Sequence, residues 1–262
     1  MTLPLFQVDT FTDRPFAGNP AAVCILESVE DREWLQAIAT ELRMPATAFV
    51  LPAEGEWGLR WFTAETELEL CGHGTLAAAH VLWETGMGTP GMRVAFQTPA
   101  GEIGAAREDG SIFVALEPGA VAEAAPPPGL VETVGVPVAS VWRTPLDYLV
   151  VLDDPSAVVA ATPAMDIVSA LDARGLIVTA AGGEGVDFTS RFFAPSMGLP
   201  EDSVTGSAHA SLGPFWAERL GTTSLRARQA SARGGYVEVR VEGDAVHVGG
   251  PAVTVSRGLL VV

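Results

Sequence analysis

Two stretches of this chain follow one plan. In the first, Leu59-Arg60-Trp61-Phe62-Thr63-Ala64 leads through an acidic segment into Cys71-Gly72-His73-Gly74-Thr75-Leu76-Ala77-Ala78. About 130 residues later, Ser190-Arg191-Phe192-Phe193-Ala194-Pro195 leads through another into Asp202-Ser203-Val204-Thr205-Gly206-Ser207-Ala208-His209. Each copy reads as a strand ending in a turn of small residues that opens an Ala-rich helix. A helix start carries N–H groups without partners inside the helix, together with the positive end of the peptide dipole. Each copy is thus a candidate anion site, and two of them make a cleft suited to a carboxylate.

A duplication within 262 residues favours two domains of similar size, each large enough to bury a core. The expected division is residues 1–118 and 129–252, with the small-residue, Pro-rich segment 120–128 as linker. Along the first half, residues 5–11 alternate as a half-buried strand and 21–26 follow Gly18-Asn19-Pro20 as its partner. Trp34, Leu35, Ile38, Ala39 and Leu42 share one face of a helix over 30–42, closed by Pro45. Strands are expected at 49–51 and 59–62. The helix after Gly72 is apolar on nearly every side, as in a helix enclosed by protein, and it ends at Gly86 and Gly88. Strands follow at 93–98, 103–107 and 111–117. The second half opens at 130–134, with strands near Val141 and over 148–152, a short helix at 164–171 and a strand at 175–179. A helix over 208–220 stops before Gly221, and antiparallel strands at 236–241, 245–249 and 252–255 close the chain. This is an α+β pattern.

The charge narrows the function. Thirty-two acids face 15 bases for a net charge of -17, and every base is arginine. Without lysine there is no internal aldimine to pyridoxal phosphate and no Walker lysine. The negative field disfavours nucleic acid and anionic membrane, which leaves a small organic molecule as the expected partner. Cys24 and Cys71 form neither a CxxC pair nor a disulfide framework, which fits a reducing cytoplasm. No basic region precedes an apolar core at the N-terminus and no apolar run reaches about 18 residues, so the chain is expected to be soluble and unexported.

The motifs in this order resemble the PhzF family of phenazine-biosynthesis isomerases, which shares its fold with diaminopimelate epimerase. The resemblance rests on Val8-Asp9-Thr10-Phe11 with Gly18-Asn19-Pro20, Leu70-Cys71-Gly72-His73-Gly74-Thr75, the run from Glu201 to His209, and Arg233-Gly234-Gly235. It implies two pseudo-repeated halves, each a curved, mostly antiparallel sheet around a central helix, with residues 253–262 crossing back to the first half. It also implies a cytoplasmic homodimer, an active site in the cleft between halves, and cofactor-free proton transfer beside the carboxylate of a small acid. By that resemblance Asp202 is the second carboxylate, His73 the histidine and Ser207 the serine of the site. Asn19, Gly72, Gly74, Thr75, Thr205, Gly206 and Ser207 would hold the substrate. One position departs from the pattern: Ala46 stands where the family carries the glutamate that shuttles the proton. Either another base serves, or the reaction is lost, or the residue was exchanged deliberately.

The residues themselves leave rivals open. Cys71, ahead of a helix start, is a thiol whose pKa the dipole would lower, or a small buried apolar group. The matching position in the second copy is read as Ser203, which argues against a two-thiol epimerase and leaves a one-thiol lyase or dehydratase as an alternative. Asp202 could equally cap its helix. Glu65, Glu67 and Glu69 alternate as one solvated strand face, with Glu67 at a family position and all three the nearest substitutes for the missing glutamate. His80 and His209 read as core histidines and His247 as a surface one; no metal site is expected. A catalytically silent binding or regulatory protein is the rival outside enzymes.

Overall fold

The computed structural model describes residues 2–53, 56–89 and 93–262. The chain forms two compact units, Met1–Ala115 with Val248–Val262, and Leu116–His247. In the first unit β1 (Thr2–Thr10) pairs antiparallel with β2 (Asn19–Ile25) on one side and with the last strand, β18 (Ala252–Val261), on the other. β2 runs parallel to β3 (Thr47–Ala53), and parallel neighbours need a crossover, which α1 (Arg32–Leu42) supplies. β3 pairs antiparallel with β4 (Glu56–Phe62). β4 in turn lies parallel to β6 (Val94–Thr98), and β7 (Gly101–Glu108) and β8 (Ser111–Leu116) continue antiparallel. Between β4 and β6 the chain passes through β5 (Glu67–Leu68), paired to β4, and then the crossover helix α2 (Gly72–Glu84).

The two helices of this unit differ as their sequences require. α1 is amphipathic and buries Leu35, Ile38 and Ala39 against Leu3, Cys24, Phe49 and Phe62. The Phe49 and Phe62 rings meet edge to face at 5.5 Å, and each large apolar side chain so buried contributes about 1.5–3 kcal/mol. α1 starts two residues later than its apolar pattern suggests and ends where Arg43 turns left-handed ahead of Pro45. α2 touches β1, β2, β3, β7 and β18, which is why Leu76, Ala77, Ala78, Ala79, Val81 and Leu82 are all buried. Gly18 has φ +63°, and a Cβ there would lie 2.0 Å from the Thr10 carbonyl oxygen, so the β1–β2 turn demands glycine.

In the second unit β9 (Ala122–Glu123) pairs antiparallel with β10 (Ser140–Arg143), and β10 with β11 (Asp147–Val151). β11 is parallel to β12 (Gly175–Ala181), which is antiparallel to β13 (Phe188–Ala194). β14 (Leu199–Asp202) folds back on β13 after a 3-10 turn, Pro195–Met197. The crossover helix α6 (Gly206–Leu220) then leads to β15 (Ser224–Gln229), parallel to β13, and β16 (Gly235–Glu242) pairs antiparallel with β15. Three short helices, α3 (Leu130–Thr133), α4 (Pro155–Ala160) and α5 (Met165–Ser169), place Leu130, Val158 and Val168 in a core with Val150, Leu176 and Val178. β17 (Ala245–Gly250) carries the chain back toward β18.

The duplication therefore extends beyond the turn. From β18 through β7 in one unit, and from β9 through β16 in the other, the pairings run antiparallel, antiparallel, parallel, antiparallel, parallel, antiparallel. In each unit a helix opened by the duplicated turn makes the second parallel crossover. Several elements differ from expectation. Part of 120–128 is strand β9 rather than open linker, because it finds a partner in Trp142 and Arg143. α4 is too short for a periodic signal and is set instead by its cap, with Asp154 accepting from the Ser156 N–H at 2.6 Å and Pro155 in the first turn. β18 runs on to Val261 because β1 pairs with it along its whole length. Among the described residues no helix is long and apolar enough to cross a membrane.

Candidate active site

The two copies of the turn are built on the same strut. Arg60 donates from Nε to Glu67 Oε1 at 2.7 Å and from Nη2 to Oε2 at 3.0 Å. Arg191 makes the same pair of bonds to Glu201 at the same distances. Each guanidinium also lies over the phenylalanine two positions on, 5.3 Å from Phe62 and 4.7 Å from Phe193. Bidentate arginine–carboxylate pairs are directional, so each strut fixes the short strand that precedes its helix. Arg32 adds a third bond to Glu67 at 2.9 Å. The Arg60 hydrogen bond above all holds the Glu67 carboxyl below its ordinary pKa. A carboxylate so held is a poor proton acceptor and a good strut. The expected strand face of Glu65, Glu67 and Glu69 is broken: only Glu67 lies in a strand, β5, while Glu65 sits in a turn where the Thr63 hydroxyl accepts from the N–H groups of Glu65 and Thr66.

The struts correct the alignment of the copies. Arginine and glutamate stand 7 residues apart in the first copy and 10 apart in the second, which is longer by the 3-10 turn. Counted from the glutamates, Asp202 corresponds to Leu68, and the helix-capping position of Cys71 corresponds to Thr205, not Ser203. His73 then corresponds to Ser207, and Thr75 to His209. Thr75 donates its hydroxyl to the Cys71 carbonyl at 2.8 Å, and His209 Nδ1 lies 2.8 Å from the Thr205 carbonyl. A carbonyl only accepts, so Nδ1 carries the proton and Nε2 is left to accept from Ser190 Oγ at 3.4 Å. Complete burial pushes the His209 pKa down to about 4, so the ring is neutral at pH 7. The capping carbonyl of each helix is thus gripped by the fourth residue of that helix.

The two helix starts share one arrangement. Neither Cys71 nor Thr205 caps with its side chain, and neither first turn holds an acid, whereas α1 has Glu33 and α5 has Asp166 there. At α2, Cys71 Sγ lies 3.5 Å from His73 Nδ1, and glycine is required at position 74 because a Cβ would meet Trp61 Cδ1 at 2.7 Å. At α6, the Thr205 hydroxyl reaches Asp202 Oδ2 at 2.6 Å. Gln229, buried in β15, donates from Nε2 to Thr205 Oγ1 at 3.2 Å and to the Asp202 carbonyl at 2.8 Å, and its Oε1 accepts from the Thr205 N–H at 2.8 Å. Since the amide nitrogen only donates, the Thr205 hydroxyl must give its hydrogen to the Asp202 carboxylate. Ser207, half-buried, accepts from Arg174 Nη1 at 2.8 Å.

Asn19, Ala46 and Thr75 lie deeper. Asn19 opens β2 and is buried, with its carbonyl taking the Thr10 hydroxyl at 2.9 Å. Ala46 precedes β3 with 0% of its surface exposed, and its carbonyl accepts from the Ala22 N–H at 2.9 Å. Thr75 is likewise buried. His80 meets Thr254 at 3.0 Å, and His247 lies 3.7 Å from Glu242. Within the first unit the structure brings Cys71 and His73 together, and within the second Asp202, Thr205 and Ser207 share one turn. Sequence reasoning overlooked Gln229 and Arg174. The signal for Gln229 was a polar residue in phase with inward-facing Leu225 and Ala227 of β15.

Comparison with known proteins places this architecture. The family described as "Phenazine biosynthesis-like protein", PhzC-PhzF, matches residues 8–258. The chain belongs to the PhzF family. It is 45% identical over 261 residues to an uncharacterized isomerase of Pseudomonas aeruginosa, with 99% of each chain covered. A PhzF-family crystal structure from Enterococcus faecalis superposes with a TM-score of 0.95 at 35% identity over 100% of both chains. A hydroxyproline epimerase from Agrobacterium vitis shares the fold at a TM-score of 0.65 and 14% identity, covering 99% of this chain and 91% of that one.

Proposed function

We propose that this PhzF-family protein is an isomerase or epimerase that moves a proton at the carbon beside the carboxylate of a small organic acid, without a cofactor. The observation that carries the reading is the pair of helix starts, each without an acid in its first turn and each set beside a candidate acid/base group. In the second unit the N–H groups near Gly206 and the Ser207 hydroxyl hold a carboxylate as charge builds on it, with Asp202 as an acid/base group; in the first, the N–H groups near Gly72 and Gly74 are the matching donors and His73 the matching acid/base group. The name isomerase carried by bacterial relatives supports the reaction class. Asp202 is suited to the task because the Thr205 hydroxyl fixes one of its oxygens.

The enclosed methyl of Ala46 favours a second reading, a binding protein that keeps the carboxylate site and has no shuttle at this position. Incubation in deuterated water with a panel of small unsaturated carboxylic acids and amino acids separates the two. The isomerase reading expects deuterium at the carbon next to the carboxylate. A ligand that binds and returns unlabelled from every member of the panel overturns it.

A further inference from the structure

The second unit contains an arginine that belongs to neither copy of the turn. Arg174, just ahead of β12, donates from Nε to Asp147 Oδ1 at 2.9 Å and from Nη2 to Asp147 Oδ2 at 2.5 Å, while its Nη1 donates to Ser207 Oγ at 2.8 Å. Its backbone N–H reaches the Leu146 carbonyl at 2.7 Å, its carbonyl accepts from Ser196 Oγ at 3.1 Å, and its guanidinium lies 5.1 Å from the Phe192 ring centre. Asp147 is 1% exposed. The arginine is held at both ends and on one face.

The bidentate contact with Asp147 offsets the charge of the guanidinium, so Arg174 offers an incoming anion little free positive charge. What it delivers is one fixed N–H. A serine oxygen that accepts this bond turns its own hydrogen away from the guanidinium, and among the described residues Arg174 is the hydrogen-bond partner of that hydroxyl oxygen, leaving the hydrogen to point elsewhere. The hydroxyl is left as a donor for whatever acceptor arrives at the start of α6.

We propose that Arg174, clamped by Asp147, is a positioning residue that fixes Ser207 as a hydrogen-bond donor and thereby sets a preference for carboxylates over carboxamides. This rests on the reading that a carboxylate binds at that turn. Once the Arg174 bond is lost, the hydroxyl rotates and can accept from an amide NH2, so selectivity falls more than affinity. Lysine cannot replace the arginine, because a single ammonium lacks the planar fork that grips Asp147 and reaches Ser207 together.

The test is calorimetric titration of the full-length protein with benzoate and with benzamide. The protein is expected to prefer benzoate, and Arg174→Lys and Arg174→Gln are expected to reduce that preference tenfold or more. In a Ser207→Ala background the same substitutions should leave the ratio unchanged, an outcome that a merely structural arginine would not produce. Thermal melts check folding; if the Arg174 variants unfold, Asp147→Asn loosens the clamp with little change of volume, and the same loss of preference is expected there. A ratio that does not move, or that moves equally with and without Ser207, overturns the positioning role alone. Failure of benzoate to bind overturns both this role and the carboxylate reading. Selectivity that behaves as expected while no deuterium enters any ligand defeats only the proton-transfer reading.

Discussion

A glutamate at position 46 would have to find its place beneath the surface, since Ala46 has no exposed area. Burial raises a carboxyl's pKa toward neutrality, which suits a proton shuttle, and the ionised form destabilises the fold. Ala46→Glu is therefore expected to lower the thermal midpoint and to raise deuterium exchange into a bound acid by orders of magnitude. Exchange that stays flat across the acid panel would show that this chain runs a different chemistry. Asp202 and Cys71 give a second comparison. Asp202→Asn keeps the size and the bond from Thr205 but removes the acid/base group, so turnover should fall by roughly a hundredfold or more. Cys71→Ala should cost little beyond packing, since the residue corresponding to Cys71 in the second copy is Thr205, not a second thiol. Thiol alkylation that abolishes turnover while Asp202→Asn remains active would reverse the assignment. At this scale the sequence showed which residues could do chemistry. It did not show that Glu67 is locked between Arg60 and Arg32, because that requires β5 to lie against β4 and α1 to reach over it.

At the scale of elements, α2 and α6 show how a helix start is held rigid. His209 is fully buried and its pKa stands at about 4 against 6.5 for the free side chain. Between those values the unfolded chain binds the proton and the folded one does not, so stability is complete above about pH 6.5 and declines as pH falls toward 4. The difference is on the order of 3 kcal/mol. Denaturant melts from pH 7 to 4 should show this decline, and His209→Gln, though less stable overall, should flatten it. If both proteins lose stability in parallel, His209 is not its source. Gly74→Ala tests the other start. Its Cβ would overlap Trp61, so unfolding should become easier by about 1–3 kcal/mol, with carboxylate binding weakened as the turn shifts. Unchanged stability would mean that Trp61 can move aside. The two helices, their starting turns and most strands were legible because periodicity and small-residue turns are local signals. α4 and β9 were not, since a six-residue helix has little period and a two-residue strand has none, whereas β15 did carry an alternating pattern that the sequence reading passed over.

For the molecule as a whole, the first unit is discontinuous in sequence, with β1 lying between β2 and the last strand. Removing β18 would strip the Thr2–Thr10 strand of one edge and expose backbone groups that now pair. A chain ending after Gly250 is expected to lose protease resistance in residues 1–115 before it loses it in the second unit, as followed by limited proteolysis and mass spectrometry. Equal resistance in both units would show that β18 is dispensable. The matching succession of pairings in the two units is the deeper form of the repeat first visible at Leu59 and Ser190. By itself the sequence determined the duplication, the α+β class, the family, the two helix starts and the alanine at position 46, since each is written in residues close together along the chain. Only the tertiary structure decided the alignment of the copies, the grip of Gln229 on the Asp202 turn, and the clamp of Asp147 and Arg174 on Ser207. Those depend on strands distant in sequence becoming neighbours, and hydrogen-bond partners selected by sheet register leave no local pattern to read.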